Sequence, residues 1–287
     1  MPNCFFVSDL HGQLTRYNRL FELIRAERPA GVFVGGDILP SGFGLGAWGG
    51  ASDQDFLRDY FSPQLESLRA DLGDAYPDIF LIMGNDDPRE REDDIRALDA
   101  QGLVRYAHNT RCEFGAFVVY GYAYAPPSPF LLKDWERYDV SRGVDPGCVS
   151  PEEGRRTVEV EPLDVRYGTI ADDLKRLTAD MKPRDTIMLF HAPPYDCSLD
   201  RAALDGRAVD HVPLDVHVGS IAVQRFIDER HPLLTLHGHI HESTRITRIW
   251  KERFGRTWSF GAAHDGPELC LIRFDPDDPS QAARELL

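Results

Sequence analysis

Three of the ten histidines fall within five residues, in the run Leu236-His237-Gly238-His239-Ile240-His241-Glu242. The run follows a mostly apolar stretch, residues 232–236, that reads as a strand. Histidines at i and i+2 of a strand end point both imidazoles toward one side of the sheet. Imidazole suits Zn, Fe and Ni and, less exclusively, Mn, so this spacing predicts a transition-metal site. Four other segments carry side chains of the same kind. Asp9 and His11 flank Leu10, and Asp37 follows Gly35-Gly36. Asn85 follows Gly84 and precedes Asp86-Asp87, and His191 opens His191-Ala192-Pro193-Pro194. Taken singly, each is a common turn or cap. Together they form a mixed nitrogen and oxygen ligand set that suits Mn, Fe or Zn without choosing among them.

Each segment closes an apolar run. Residues 4–7, 31–34, 79–83 and 186–190 read as buried strands, with helices over 14–27 and 53–72 between the first three. Open α/β sheets bind ligands beyond the carboxyl ends of their strands, so these ends should converge. Further on, the pattern predicts strands and turns over 104–122 and helices over 167–181 and 221–229, the latter with Ser220 as N-cap. Strands are expected over 245–250, 258–261 and 269–274. The acidic run 86–94 reads in part as solubilising surface. Two irregular stretches, 40–51 and 123–166, carry aromatic residues and read either as surface loops or as lids, since loops longer than about 12 residues are often functional. No repeat or low-complexity linker divides the chain, which reads as one domain over residues 1–287.

Bulk properties narrow the function classes. With 287 residues, 42% hydrophobic and 28% charged, the chain can bury a substantial core. A net charge of −15 argues against a duplex nucleic-acid binder, which needs a basic face to replace counterions. It leaves room for a phosphate-ester hydrolase, because bound cations reverse the local field. The five cysteines are scattered, odd in number and without CxxC spacing, which reads as reduced thiols in a cytoplasmic protein. No stretch approaches the roughly 18 apolar residues of a membrane span.

Taken in order, Asp9-Leu10-His11, Gly36-Asp37, Gly84-Asn85-Asp86-Asp87, His191 and Gly238-His239-Ile240-His241 resemble the motif series of the calcineurin-like metallophosphoesterases: DxH, GD, GN(H/C/M)(D/E), a single His and GHxH. The resemblance implies a four-layer α-β-β-α sandwich with mixed sheets and a binuclear centre between the sheet ends. It implies two divalent or trivalent metal ions. Asp9, His11 and His241 would hold one, Asn85, His191 and His239 the other, and Asp37 would bridge them. A bridging carboxylate suits the roughly 3.5–4 Å spacing of two-metal hydrolases. The expected reaction is attack of a metal-activated hydroxide on a phosphate ester. The expected substrate is small or nucleotide-like, with no membrane involved and with room for an oligomer. The alternative is a weakly active or inactive metal-binding scaffold of the same fold that binds a partner protein. The presence of all seven ligands weighs against it.

One position departs from the series. Many members carry His after the motif Asn, and here it is Asp86. Three readings stay open for it: a general acid with raised pKa, an auxiliary metal ligand, or a loop residue. Lacking that His favours phosphodiesters, or esters with good leaving groups, over ordinary monoesters. Asp86 and His237 are the candidate catalytic residues, with a partly buried strand histidine as the other reading of His237. Asp87 is expected to orient an imidazole or the loop. Glu242 is expected either to accept a proton from a ligand imidazole or to be a plain loop acid. His217, Gly219 and Ser220 precede a helix N-terminus that could hold an anion or simply be capped. His264 lies in a Gly-containing loop that returns to the core.

Overall fold

Most of the apolar runs that read as strands form strands. In the computed structural model, which describes residues 4–40 and 55–287, β1 (Cys4–Val7), β2 (Gly31–Gly35) and β3 (Asp78–Ile82) pair in parallel, and β4 (Arg105–Tyr106) adds beside β3. Parallel strands covered on both faces need near-continuous hydrophobic runs, and every residue of β1 and β2 is buried. β13 (Cys270–Phe274) and β14 (Ala283–Leu286) extend this sheet antiparallel, in the order β14-β13-β1-β2-β3-β4. The second sheet runs β11 (Lys251–Phe254), β12 (Thr257–Gly261), β10 (Leu234–His237), β7 (Thr186–Phe190), β6 (Phe117–Tyr122), β5 (Arg111–Phe114). Its inner four strands are parallel and its two outer pairs antiparallel. A short hairpin, β8 (Ala208–Val209) with β9 (Val212–Pro213), stands apart.

The two sheets share one core. Phe33 and Phe80 meet Phe114 edge-on across the gap, with ring centroids 5.8 and 5.5 Å apart. Helix α1 (Leu14–Glu27) buries Tyr17, Leu20, Phe21 and Ile24, the stripe that a 3.6-residue period lays on one face. It packs with α2 (Ser62–Leu72), and α3 (Glu92–Ala100) lies against β4. On the other side α5 (Ile170–Leu177) packs with α6 (Ile221–Arg230). The architecture is the four-layer sandwich with mixed sheets. Among the described residues no helix is long and apolar enough to cross a membrane.

Local signal and structure part in three places. Residues 245–250, read as a strand, instead contribute to the short helix α7 (Ser243–Thr247), which ends at a left-handed Arg248 (φ 64°). The strand there is β11, antiparallel to β12. The chain must reverse soon after His241 to take up that pairing, and tertiary demand overrides a weak local preference. Of the helix read over 53–72, residues 53 and 54 lie outside the described residues. Leu57–Phe61 form a wider π-type turn, and regular helix starts at Ser62 with Pro63 in its first turn. The helix read over 167–181 is two: α4 (Pro162–Tyr167) stops at Gly168, and α5 starts behind Thr169, whose hydroxyl accepts the Asp172 N–H (3.1 Å). The acidic run is more than surface, because from Glu92 it opens α3 and places three acids in the first turn, where the helix dipole favours them.

The 123–166 insertion has a buried interior. Trp135 and the Lys133–Glu136 ion pair are shut off from solvent. Asp134 accepts the Arg89 N–H (2.8 Å), Thr157 accepts the Glu90 N–H (3.0 Å) and Asp139 accepts the Ile221 N–H (2.7 Å). The insertion therefore reaches from the loop after β3 to the start of α6. Of its companion stretch at 40–51, everything beyond Pro40 lies outside the described residues.

Candidate metal centre

The ends of β1 and β2 are joined main chain to main chain, as are those of β7 and β10, and side chains link these pairs to each other and to the end of β3. The Asp9 N–H donates to Gly36 O (3.0 Å), the His11 N–H to Asp37 O (2.8 Å) and the Gly238 N–H to His191 O (2.9 Å). The His239 N–H donates to the Asp9 carboxylate (3.0 Å to Oδ1). Four of the seven expected ligands have left-handed backbone: Asp9 (φ 56°), His11 (46°), Asp37 (51°) and His239 (74°). Such conformers cost about 1–3 kcal/mol each and persist where the surroundings over-determine them. They swing the chain off the sheet just past each strand and aim the polar side chains into one cleft. Gly84 permits a close approach: a Cβ there would lie 2.5 Å from Asp37 N and 2.6 Å from His191 Cε1.

The side chains converge in two groups. Ligand atoms of Asp9, His11, Asp37 and His241 all lie within 4.8 Å of one another. His241 Nε2 is 3.2 Å from His11 Nε2 and 3.3 Å from Asp9 Oδ1. In the second group His191 Nδ1 donates to Gly35 O (2.8 Å), which leaves Nε2 facing Asn85 Oδ1 at 2.8 Å and Asp37 Oδ2 at 3.4 Å. The His239 ring lies against His191, centroids 5.0 Å apart. An imidazole lone pair, an amide oxygen and a carboxylate at these separations repel one another unless a proton or a cation sits among them. The donor set fits metal ions of the Mn, Fe or Zn kind.

Electrostatics follow from this crowding. Burial opposes charge on Asp9, but the hydrogen bond from His241 and the neighbouring imidazoles hold its carboxyl well below the usual range. Asp37 is held down against burial chiefly by His191. Burial pushes His191 toward neutrality, yet the Asp37 carboxylate outweighs it and raises the imidazole to about 10. His239, buried beside His191, is pushed down to about 3. The cluster binds protons where its geometry would hold cations.

The sequence model of the family described as calcineurin-like phosphoesterase matches residues 3–243. The chain belongs to that family. Comparison with curated proteins gives no match. One solved structure resembles this phosphoesterase with a TM-score of 0.59 at 16% identity, over 99% of this chain and 98% of that one. TT1561 of Thermus thermophilus does so with 0.54 at 17% identity, over 99% and 98%. A dimetal phosphatase from Danio rerio gives 0.47 at 14%, over 94% and 91%. The first two likenesses speak to the fold.

The other candidate residues of this phosphoesterase divide into those at the cleft and those beside it. Asp86 is at the cleft. Its N–H donates to Asp37 Oδ1 (2.8 Å), its Oδ2 lies 3.9 Å from His11 Nδ1, and its side chain is 26% exposed. Burial and then the Asp37 charge raise it to about 6. His237 is not brought to the cleft. It is fully buried, with Nδ1 2.9 Å from Ala192 O, Nε2 2.7 Å from Thr235 Oγ1 and its ring stacked on Phe190. It still belongs to β10, before the turn at His239 swings the chain inward, so both ring nitrogens are used within the second sheet. Asp87 orients loops, not an imidazole, accepting N–H groups from Gly84 (2.8 Å), Ile38 (3.1 Å) and Leu39 (2.8 Å). Glu242 accepts the Ala203 N–H (3.0 Å) and is a loop acid.

The start of α6 is capped. Ser220 Oγ accepts the Val223 N–H (3.0 Å), and Asp139 takes the Ile221 N–H. His217 Nδ1 lies 2.7 Å from the buried Asp200, and His264 Nε2 lies 2.9 Å from Glu268. One buried residue of the region escaped the sequence reading. Arg16 on α1 shares the i, i+4, i+8 stripe of Leu20 and Ile24, and a charge inside an apolar stripe was the available signal.

Proposed function

We propose that this phosphoesterase is a binuclear metal-dependent phosphodiesterase acting on a small or nucleotide-like phosphate ester. The observation that carries the reading is the convergence of seven nitrogen and oxygen side chains from five strand ends, with Asp37 reaching both groups at 3.9 Å from His11 and 3.4 Å from His191. In this reading Asp9, His11 and His241 hold one ion, Asn85, His191 and His239 hold another, and Asp37 serves both. Bound ions of this kind acidify a shared water and neutralise phosphate oxygens.

The chain's own contribution is placement. Gly35 O fixes the His191 tautomer, and Asp87 ties the loop after β3 to the loop after β2. Asp86, standing where the family series often has His, is positioned at the mouth to hold a proton for the leaving oxygen. A protonated carboxyl there supplies a proton but, unlike a protonated His, no positive charge, so it compensates a dianionic monoester less than a monoanionic diester, which favours the diester. His237 packs and touches no substrate. The reading takes the chain as one domain, with the 123–166 insertion, a candidate lid, anchored to the segment after β3 and to the start of α6. Five unpaired cysteines fit a reducing compartment such as the cytoplasm.

The test is turnover of a chromogenic diester and of the monoester with the same leaving group, in Mn²⁺, with and without chelator. Diester kcat/KM should be the higher, should vanish on chelation and should return with metal. A clear monoester preference overturns the diester assignment. No turnover with Mn, Fe or Zn overturns the enzyme reading in favour of a metal-binding scaffold.

A further inference from the structure

We infer that Arg16 is the positioning residue of the first metal loop, clamping Asp9 in its strained conformation; this rests on the metal-binding reading above. Among the described residues two arginine or lysine side chains are buried, Arg16 and Lys133. Lys133 is paired with Glu136. Arg16, 5% exposed, forms no ion pair among the described residues. Its Nη1 donates to Asp9 O (2.7 Å), its Nη2 donates to Gly266 O, and its Nε has no partner. A buried charge without a direct ion pair is costly, and the nearby Asp9 and Glu268 carboxylates offset that cost only in part, since burial still lowers the guanidinium from its usual value, so an arrangement that keeps one needs a reason beyond packing.

The reason lies in what the two carbonyls belong to. Asp9 sits at φ 56°, a conformer that a non-glycine residue leaves unless held. A guanidinium on its carbonyl oxygen fixes the plane of the following peptide and so the turn that leads to His11. The second carbonyl, at Gly266, belongs to the loop after β12. That loop is tied by Asp265 to Arg245 of α7 (2.6 Å), four residues past His241. Arg16 therefore braces the loop of Asp9 and His11 against the segment that follows His241. The Asp9 carboxylate also accepts the His239 N–H, so a relaxed Asp9 loosens the GHxH turn as well. The guanidinium's hydrogen bonds go to main-chain carbonyls and not to a ligand side chain. It removes the reorganisation that the first ion would otherwise have to impose.

The test uses the full chain, freed of metal and titrated calorimetrically with Mn²⁺, with circular dichroism and thermal melts alongside. Arg16→Met should stay folded and bind one Mn²⁺ equivalent about 10- to 100-fold more weakly, with the other little changed. Arg16→Lys, which keeps the charge and can reach one carbonyl, should fall between. If Arg16→Met does not fold, Arg16→Gln is judged by the same criterion. Wild-type Mn²⁺ affinity in the folded variant overturns the inference, whatever happens to its melting temperature. If the wild-type chain itself binds no Mn²⁺, it is the metal reading that fails.

Discussion

Gly84→Ala isolates the steric demand of the cleft from every other effect. Gly84 is not among the residues with positive φ, so alanine costs nothing there in backbone conformation. The added methyl would lie 2.5 Å from Asp37 N and 2.6 Å from His191 Cε1, and closer still to Asp37 Oδ1. Ordinary contact begins at 3.4 Å, so the shortfall against the Asp37 main chain is about 0.9 Å. A main-chain atom cannot rotate away as a flexible side chain can, so Asp37 must move as a unit. Metal-ligand distances tolerate roughly ±0.2 Å, several times less than that shift. Overpacking of this kind costs about 1–3 kcal/mol, which for a domain of this size is a fall in Tm of roughly 2–10 °C. The expected result is a folded protein whose Mn²⁺ affinity by calorimetry drops at least about tenfold, with a lowered melt in chelator. Gly143→Ala, where the nearest atom would be Ser141 Oγ at 3.3 Å, is the control and should behave as wild type. Unchanged affinity together with an unchanged melt in Gly84→Ala would refute the packing argument.

Three further outcomes are expected. His191 is raised from 6.5 to about 10 in the folded chain, so its contribution to stability is complete below pH 6.5 and lost as pH rises through 10. Asp9 and Asp37 are lowered from 3.8, so theirs is present above that value and lost on acidification. Melts in chelator should therefore decline from pH 7 toward 10, while melts with Mn²⁺, where the ion replaces the proton, should stay flatter; parallel curves would count against this. His237→Leu leaves Ala192 O and the Thr235 hydroxyl short of a partner and should lose about 1–3 kcal/mol in urea unfolding while keeping Mn²⁺ affinity and kcat. Lost turnover at unchanged stability would return His237 to the cleft. Asp86→Asn should lower kcat steeply for poor leaving groups and little for good ones, and an equal fall for all would remove its proton-holding role.

Most of the sandwich was legible because its strands are short apolar runs closed by a glycine or polar residue, and a buried parallel strand has few other ways to be written. The misread segments are those where long-range pairing outvotes local preference. Residues 245–250 look like a strand in isolation and are partly helical because β11 must reach β12. The insertion could be seen as irregular, but its buried Lys133–Glu136 pair and its hold on Arg89 and Ile221 could not. Each of those contacts joins groups that carry no shared local pattern, apart from the pair itself.

By itself the sequence determined the candidate ligand set of the cleft, since few side chains ligate transition metals and a strand end admits few spacings for them. Tertiary structure alone decided which neighbours are spectators and which are supports. Asp87 turned out to hold three main-chain N–H groups, and His237 to be enclosed by Thr235, Ala192 and Phe190. Arg16 was found bracing Asp9. The difference is physical. Ligand identity is a property of a side chain and its near neighbours in the chain, whereas a hydrogen-bond partner is set by which distant strand end the fold brings within about 3 Å.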